Sequence, residues 1–142
     1  MGIAALITWV LTAGGGFYML ATWVSNGGTR QPRTSHFPPA LIFGHFALAA
    51  IGLVVWIIYV ITDTEALTWV AFVLLLPVAL LGFIMLSRWI HARRTSAQAA
   101  AGASAVAPPE QHFPVPVVAG HGLLAVVTLV LVLLTALGVG GD

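Results

Sequence analysis

Four stretches of this chain, at about residues 3–25, 38–62, 66–90 and 114–138, contain no Asp, Glu or Lys, and their single Arg, Arg88, stands at the end of the third. About 20 apolar residues cross a bilayer as a helix, because a rise of 1.5 Å per residue must cover about 30 Å of hydrocarbon. Hydrocarbon offers no hydrogen bonds, so such a segment must satisfy its own backbone as a helix. The expected fold is all-α: an integral membrane four-helix bundle, one transmembrane domain over residues 1–142. Only 6% of residues are charged, against about 25% in soluble chains. Little sequence remains for a soluble domain, and a net charge of +1 gives no basis for nucleic-acid binding. The absence of cysteine excludes disulfides, thiolate metal sites and iron–sulfur ligation. The first apolar stretch lacks the basic start of a secretory signal and is read as a mature helix.

Part of the sequence occurs twice. His36-Phe37-Pro38-Pro39-Ala40-Leu41-Ile42-Phe43-Gly44-His45 returns as His112-Phe113-Pro114-Val115-Pro116-Val117-Val118-Ala119-Gly120-His121, with nine residues between the histidines in each copy. Leu48, Ala49, Leu53 and Val54 match Leu124, Ala125, Leu129 and Val130. Upstream, Gly16-Phe17, Met19-Leu20 and Trp23 are echoed by Gly82-Phe83, Met85-Leu86 and Trp89. Repeat 1 thus spans about 3–62 and repeat 2 about 66–138, each a helical hairpin.

Arg30 and Arg33 lie in the first connection, Arg88, Arg93 and Arg94 around the start of the third, and Asp63 and Glu65 in the second. Basic residues concentrate on the cytoplasmic side of membrane proteins. Both termini are therefore expected outside, in a multi-pass protein of a bacterial cytoplasmic (inner) membrane. Both hairpins then run in the same sense, related by a pseudo-twofold axis along the membrane normal. Residues 92–111 are rich in Ala, Ser and Gly and end in Pro108-Pro109-Glu110, which reads as a flexible cytoplasmic loop. Pro38-Pro39 and Pro114/Pro116 fall at helix starts, where proline's missing N–H costs nothing.

His45 and His121 should lie at one depth, about 10 Å into helices two and four. An imidazole there needs partners, because an unsatisfied polar group in hydrocarbon costs several kcal/mol. Two readings stand. Each histidine reads as a stitch to a carbonyl or hydroxyl of another helix, or the pair reads as the ligands of a shared haem or metal. Gly44 and Gly120, with Gly16 and Gly82 on helices one and three, would permit close approach of a flat macrocycle; the same small residues also serve plain helix packing. Arg30, Arg33 and Arg88 are the candidate partners of haem propionates. His36 and His112, at the helix starts, are secondary candidates for capping or propionate binding. His91 reads as an interfacial residue, with proton exchange or quinone hydrogen bonding as the other role. Trp23 and Trp89 read first as interfacial anchors. Met19 and Met85 read as core, against a mixed His/Met copper site.

With two facing histidines in a four-helix membrane bundle, the chain resembles small b-type cytochromes and the haem-bearing anchor subunits of membrane dehydrogenases. The resemblance rests on His45 and His121. It implies one haem b with those two histidines as axial ligands of the iron, in the cytoplasmic half of the bilayer. It also implies electron transfer between a quinone pool and a partner redox protein, as a subunit of a larger complex or a homo-oligomer. Multi-haem cytochromes b hold haems at two depths, whereas every histidine here lies toward one side. No catalytic constellation stands beside the pair. The alternatives are an accessory subunit without a cofactor, or a divalent-metal binding or transport protein using His36, His45, His112 and His121.

Overall fold

The computed structural model describes residues 1–30, 35–99 and 108–139, and of 96–99 the backbone alone. Four helices, α1 (Gly2–Ser25), α2 (Pro39–Thr62), α3 (Ala66–Ala99) and α4 (Val115–Ala136), are joined by short connections and by a 3-10 turn, Pro109–His112. All four are long and apolar enough to cross a membrane. Their boundaries follow local chemistry. Proline opens α2, and Pro114 precedes α4, so the absent N–H falls where no intrahelical acceptor exists. At the end of α1 the backbone turns through Gly27, whose φ of +90° suits glycine, and the Gly28 N–H donates to Trp23 O at 2.9 Å. A Cβ on Gly28 would overlap the Trp23 indole. Asp63 ends α2 in the left-handed region at φ 53°, its N–H donating to Tyr59 O.

The third helix corrects one expectation. Residues 92–99 continue α3 instead of beginning a flexible loop. Ala92, Arg93, Arg94, Ala97, Gln98 and Ala99 are strong helix formers, and nothing in that stretch breaks the periodicity. Pro109–His112 is likewise structured, with Glu110 fully buried. The part of that loop at 100–107 lies outside the described residues. Pro77 sits inside α3, where it removes one ladder hydrogen bond.

Helix α1 packs chiefly on α4, and α2 on α3; smaller contacts join α1 to α2 and α3 to α4. Among the described residues the backbones of α1 and α3, and of α2 and α4, do not come close, so these pairs are the diagonals of the bundle. Two apolar clusters fill the interior. One, around Ala5, Trp9, Trp56, Ala71, Leu75, Val78 and Val132, occupies the end holding the chain start. The other joins Trp23, Phe37, Ile42, Trp89 and Phe113 at the arginine end, with Met19 and Met85 packed against it. Trp23 and Trp89 are therefore buried core residues, not interfacial anchors. The Phe-Pro segments preceding α2 and α4 fold inward and lay Phe37 against Phe113, ring centres 6.1 Å apart, and the indoles are drawn into that aromatic layer. The outer surface is apolar along all four helices, through residues such as Ile7, Phe17, Ile51, Val73, Leu80, Phe83 and Leu123. That is a surface made for lipid tails.

Candidate functional site

Between the two clusters lies a polar layer built on the histidines. His45 of α2 reaches α3, where its Nδ1 donates to Val78 O at 3.0 Å. His121 of α4 reaches α1, where its Nδ1 donates to Thr12 O at 2.9 Å. Val78 lies four residues before Gly82, and Thr12 four before Gly16. In an α-helix the side chain at i+4 stands over the carbonyl of residue i. Glycine there leaves the carbonyl open to a side chain from a neighbouring helix, and each imidazole occupies that opening. A Cβ added at Gly16 would stand 3.2 Å from His121 Cε1, and one at Gly82 3.4 Å from His45 Cε1.

A carbonyl oxygen only accepts, so Nδ1 carries the proton in both rings. In the neutral imidazole the lone pair is then on Nε2. The two rings lie across the α2–α4 diagonal with centres 6.4 Å apart and planes inclined at 53°. Metal–imidazole bonds of about 2 Å on either side of one ion put the ring centres about 6 Å apart. A metal-ligating histidine commonly donates its other ring N–H to a carbonyl or carboxylate, which fixes ring and tautomer. Separation, tautomer and glycine cradle are those of two imidazoles that could hold one ion between them. Two turns from His121, Thr128 Oγ1 lies 2.9 Å from Thr8 Oγ1, a hydroxyl link between α4 and α1.

The remaining expected residues are distributed unevenly. Gly16 and Gly82 stand against the rings of His121 and His45 themselves. At Gly44 and Gly120 a Cβ meets nothing within 4 Å; each immediately precedes its histidine and so points about 100° away around the helix. His36 and His112 do not join the layer. His112 Nδ1 donates to Pro109 O at 3.2 Å within its own turn, and His36 faces Glu110. Arg88 Nη1 donates to His36 O at 2.9 Å, and Arg93 lies over the Trp89 ring, 5.1 Å from its centre. Arg33 lies outside the described residues. Among the described residues no three His, Asp or Glu gather as a metal-ion cluster, so the four-histidine ion site is not brought together.

Glu110 is the functional candidate that sequence reasoning missed. Its carboxylate is wholly buried and accepts from the His36 N–H at 2.7 Å, from His36 Nδ1 at 2.7 Å and from Ser35 Oγ at 2.9 Å. Ser35 Oγ in turn accepts from Trp23 Nε1 at 3.0 Å. Glu110 thereby ties the connection before α2 to the turn before α4. One signal was available: it is the sole acidic residue between the third and fourth apolar runs. Trp89, at the repeat position of Trp23, keeps a buried Nε1–H without a partner among the described residues. No protein-family model matches the chain, and neither a curated protein nor a solved structure is significantly similar to it.

Proposed function

We propose that this protein is a membrane b-type haem protein whose iron is held by Nε2 of His45 and of His121. The carrying observation is the facing ring pair, each Nδ1 committed to a backbone carbonyl of the neighbouring helix. Haem, when bound, would supply one-electron transfer within the bilayer. The chain's own residues do the rest. Thr12 O and Val78 O hold the imidazoles in one tautomer and one orientation, and hydrogen bonding there raises ligand basicity. Gly16 and Gly82 let the rings sit against α1 and α3. The aromatic cluster of Trp23, Phe37, Trp89 and Phe113 excludes water from the arginine end. The orphan Trp89 Nε1–H is a donor available there to a propionate, with Arg30 and Arg88 at the same end.

In this reading the two repeats are related by a pseudo-twofold axis along the membrane normal. It brings the His45–Val78 and His121–Thr12 bonds into equivalence. The arginine end faces the cytoplasm of a bacterium and both termini face outward. His45 and His121 would hold a haem able to pass electrons between a quinone pool and a partner redox protein, in a larger complex or a homo-oligomer. An absorbance spectrum of the purified protein tests the proposal. A reduced b-type spectrum is expected, lost in His45→Ala and in His121→Ala. A colourless, metal-free and stable preparation would instead assign the histidines to helix stitching, and stoichiometric zinc or copper would assign them to an ion site.

A further inference from the structure

A second polar site lies at the arginine end, outside the histidine layer. His36, Ser87, Arg88 and His91 line an open cavity of about 280 Å³. It stands beside the aromatic cluster that closes this end of the bundle. Behind it, Glu110 is fully buried, while the His36 ring is 46% exposed. The carboxylate takes the proton side of that ring: Nδ1 meets Glu110 Oε1 at 2.7 Å. A carboxylate on one imidazole nitrogen fixes the ring's tautomer and direction, leaving the other nitrogen's lone pair for a donor. Arg88 spends one N–H on His36 O, and a guanidinium has five. Ser87 Oγ donates to Ile84 O at 2.8 Å and keeps lone pairs for an incoming donor.

The charge pattern decides what such a cavity takes. An anion would sit close to a buried carboxylate, with only Arg88 as a permanent positive charge among the lining residues. A neutral ligand with one hydroxyl to donate and one oxygen to accept suits the donor set better, the hydroxyl to His36 and the oxygen to Arg88. A cavity of about 150 Å³ accommodates benzene, so this one has room for a substituted ring. Its place at the end of membrane-spanning helices suits a ligand arriving from the lipid.

We infer that this cavity binds the head group of a hydroquinone or quinone, with His36, oriented by Glu110, as the acceptor of a hydroxyl proton and Arg88 as the donor to the opposite oxygen. The inference rests on the proposed electron-transfer role, which it deepens by naming where the quinone sits. The step assigned to these residues is acid–base only: the hydroxyl O–H bond breaks, its electron pair stays on oxygen, and the proton moves to His36 Nε2.

Titration calorimetry of the full chain in phosphatidylcholine nanodiscs, with a short-chain ubiquinone and its reduced form, tests this without requiring haem. One equivalent is expected to bind. His36→Ala should weaken the reduced form at least tenfold and the oxidised form less, because only the former donates a hydroxyl proton. Ser87→Leu, which fills the cavity from the outer face of α3 without touching Glu110, should weaken both forms while thermal unfolding stays unchanged. Absence of saturable binding, or binding indifferent to both substitutions, overturns the inference. So does loss of binding when phosphatidylglycerol replaces phosphatidylcholine in the discs, which would make the cavity a seat for a net-anionic lipid head group. A haem spectrum without quinone binding refutes this site alone, and quinone binding by a colourless protein refutes the haem alone.

Discussion

Replacing Gly16 by Ala measures how firmly the histidine layer is held. In a helix interior the change from Gly to Ala by itself gains about 0.5–1 kcal/mol. At Gly14 the new methyl meets nothing within 4 Å, so Gly14→Ala should show that gain unopposed. At Gly16 the methyl stands 3.2 Å from His121 Cε1, so the ring must retreat by a few tenths of an ångström. Its Nδ1 is pinned to Thr12 O at 2.9 Å, and overpacking of a well-filled site costs about 1–3 kcal/mol. The net effect at Gly16 should be a loss of about 0.5–2 kcal/mol. Gly82→Ala, with its closest atom at 3.4 Å, should fall between the two. Thermal unfolding in detergent, followed by tryptophan fluorescence, reads these differences; 1 kcal/mol moves Tm by roughly 3 °C at this size. The expected order of Tm is Gly14→Ala, wild type or Gly82→Ala, then Gly16→Ala, with about 3–9 °C between the extremes. Equal Tm values for Gly14→Ala and Gly16→Ala would refute the claim that the carbonyl bond immobilises the ring.

Glu110→Ala should destabilise the protein by about 2–3 kcal/mol, because it takes from the His36 N–H and the half-buried Ser35 hydroxyl the buried carboxylate they bond. Glu110→Gln keeps an acceptor and should cost roughly half as much, and equal losses in the two variants would show that the carboxylate charge does the holding. Gly28→Ala should cost more than about 2 kcal/mol, since its Cβ overlaps a fully buried indole that has no room to withdraw. Gly28→Ala with a wild-type Tm would mean that Trp23 is not held where it is seen.

Much of the fold was legible because hydrocarbon leaves the backbone one solution. Apolar runs without Asp, Glu or Lys must be helices, and their ends follow prolines and glycines whose backbone preferences are local. The candidate pair was legible for a related reason: an imidazole within such a run needs a partner, and its exact recurrence marked His45 and His121. The end of α3 was not, because Ala- and Ser-rich sequence suits a linker as well as a solvated helix, and only the surroundings choose between them.

The sequence by itself determined that four helices are long and apolar enough to cross a membrane, that two histidines recur at matching places in a repeat, and that a glycine on α1 and another on α3 do the same. Only tertiary structure decided that those glycines uncover the Thr12 and Val78 carbonyls to the imidazoles, since that depends on which helices become neighbours. The same holds for Glu110, Trp23 and Trp89. Whether a carboxylate or an indole is solvated or buried is set by the segment that folds over it, and here that segment arrives from the far end of the chain, 74 or 75 residues away for the partners of Glu110.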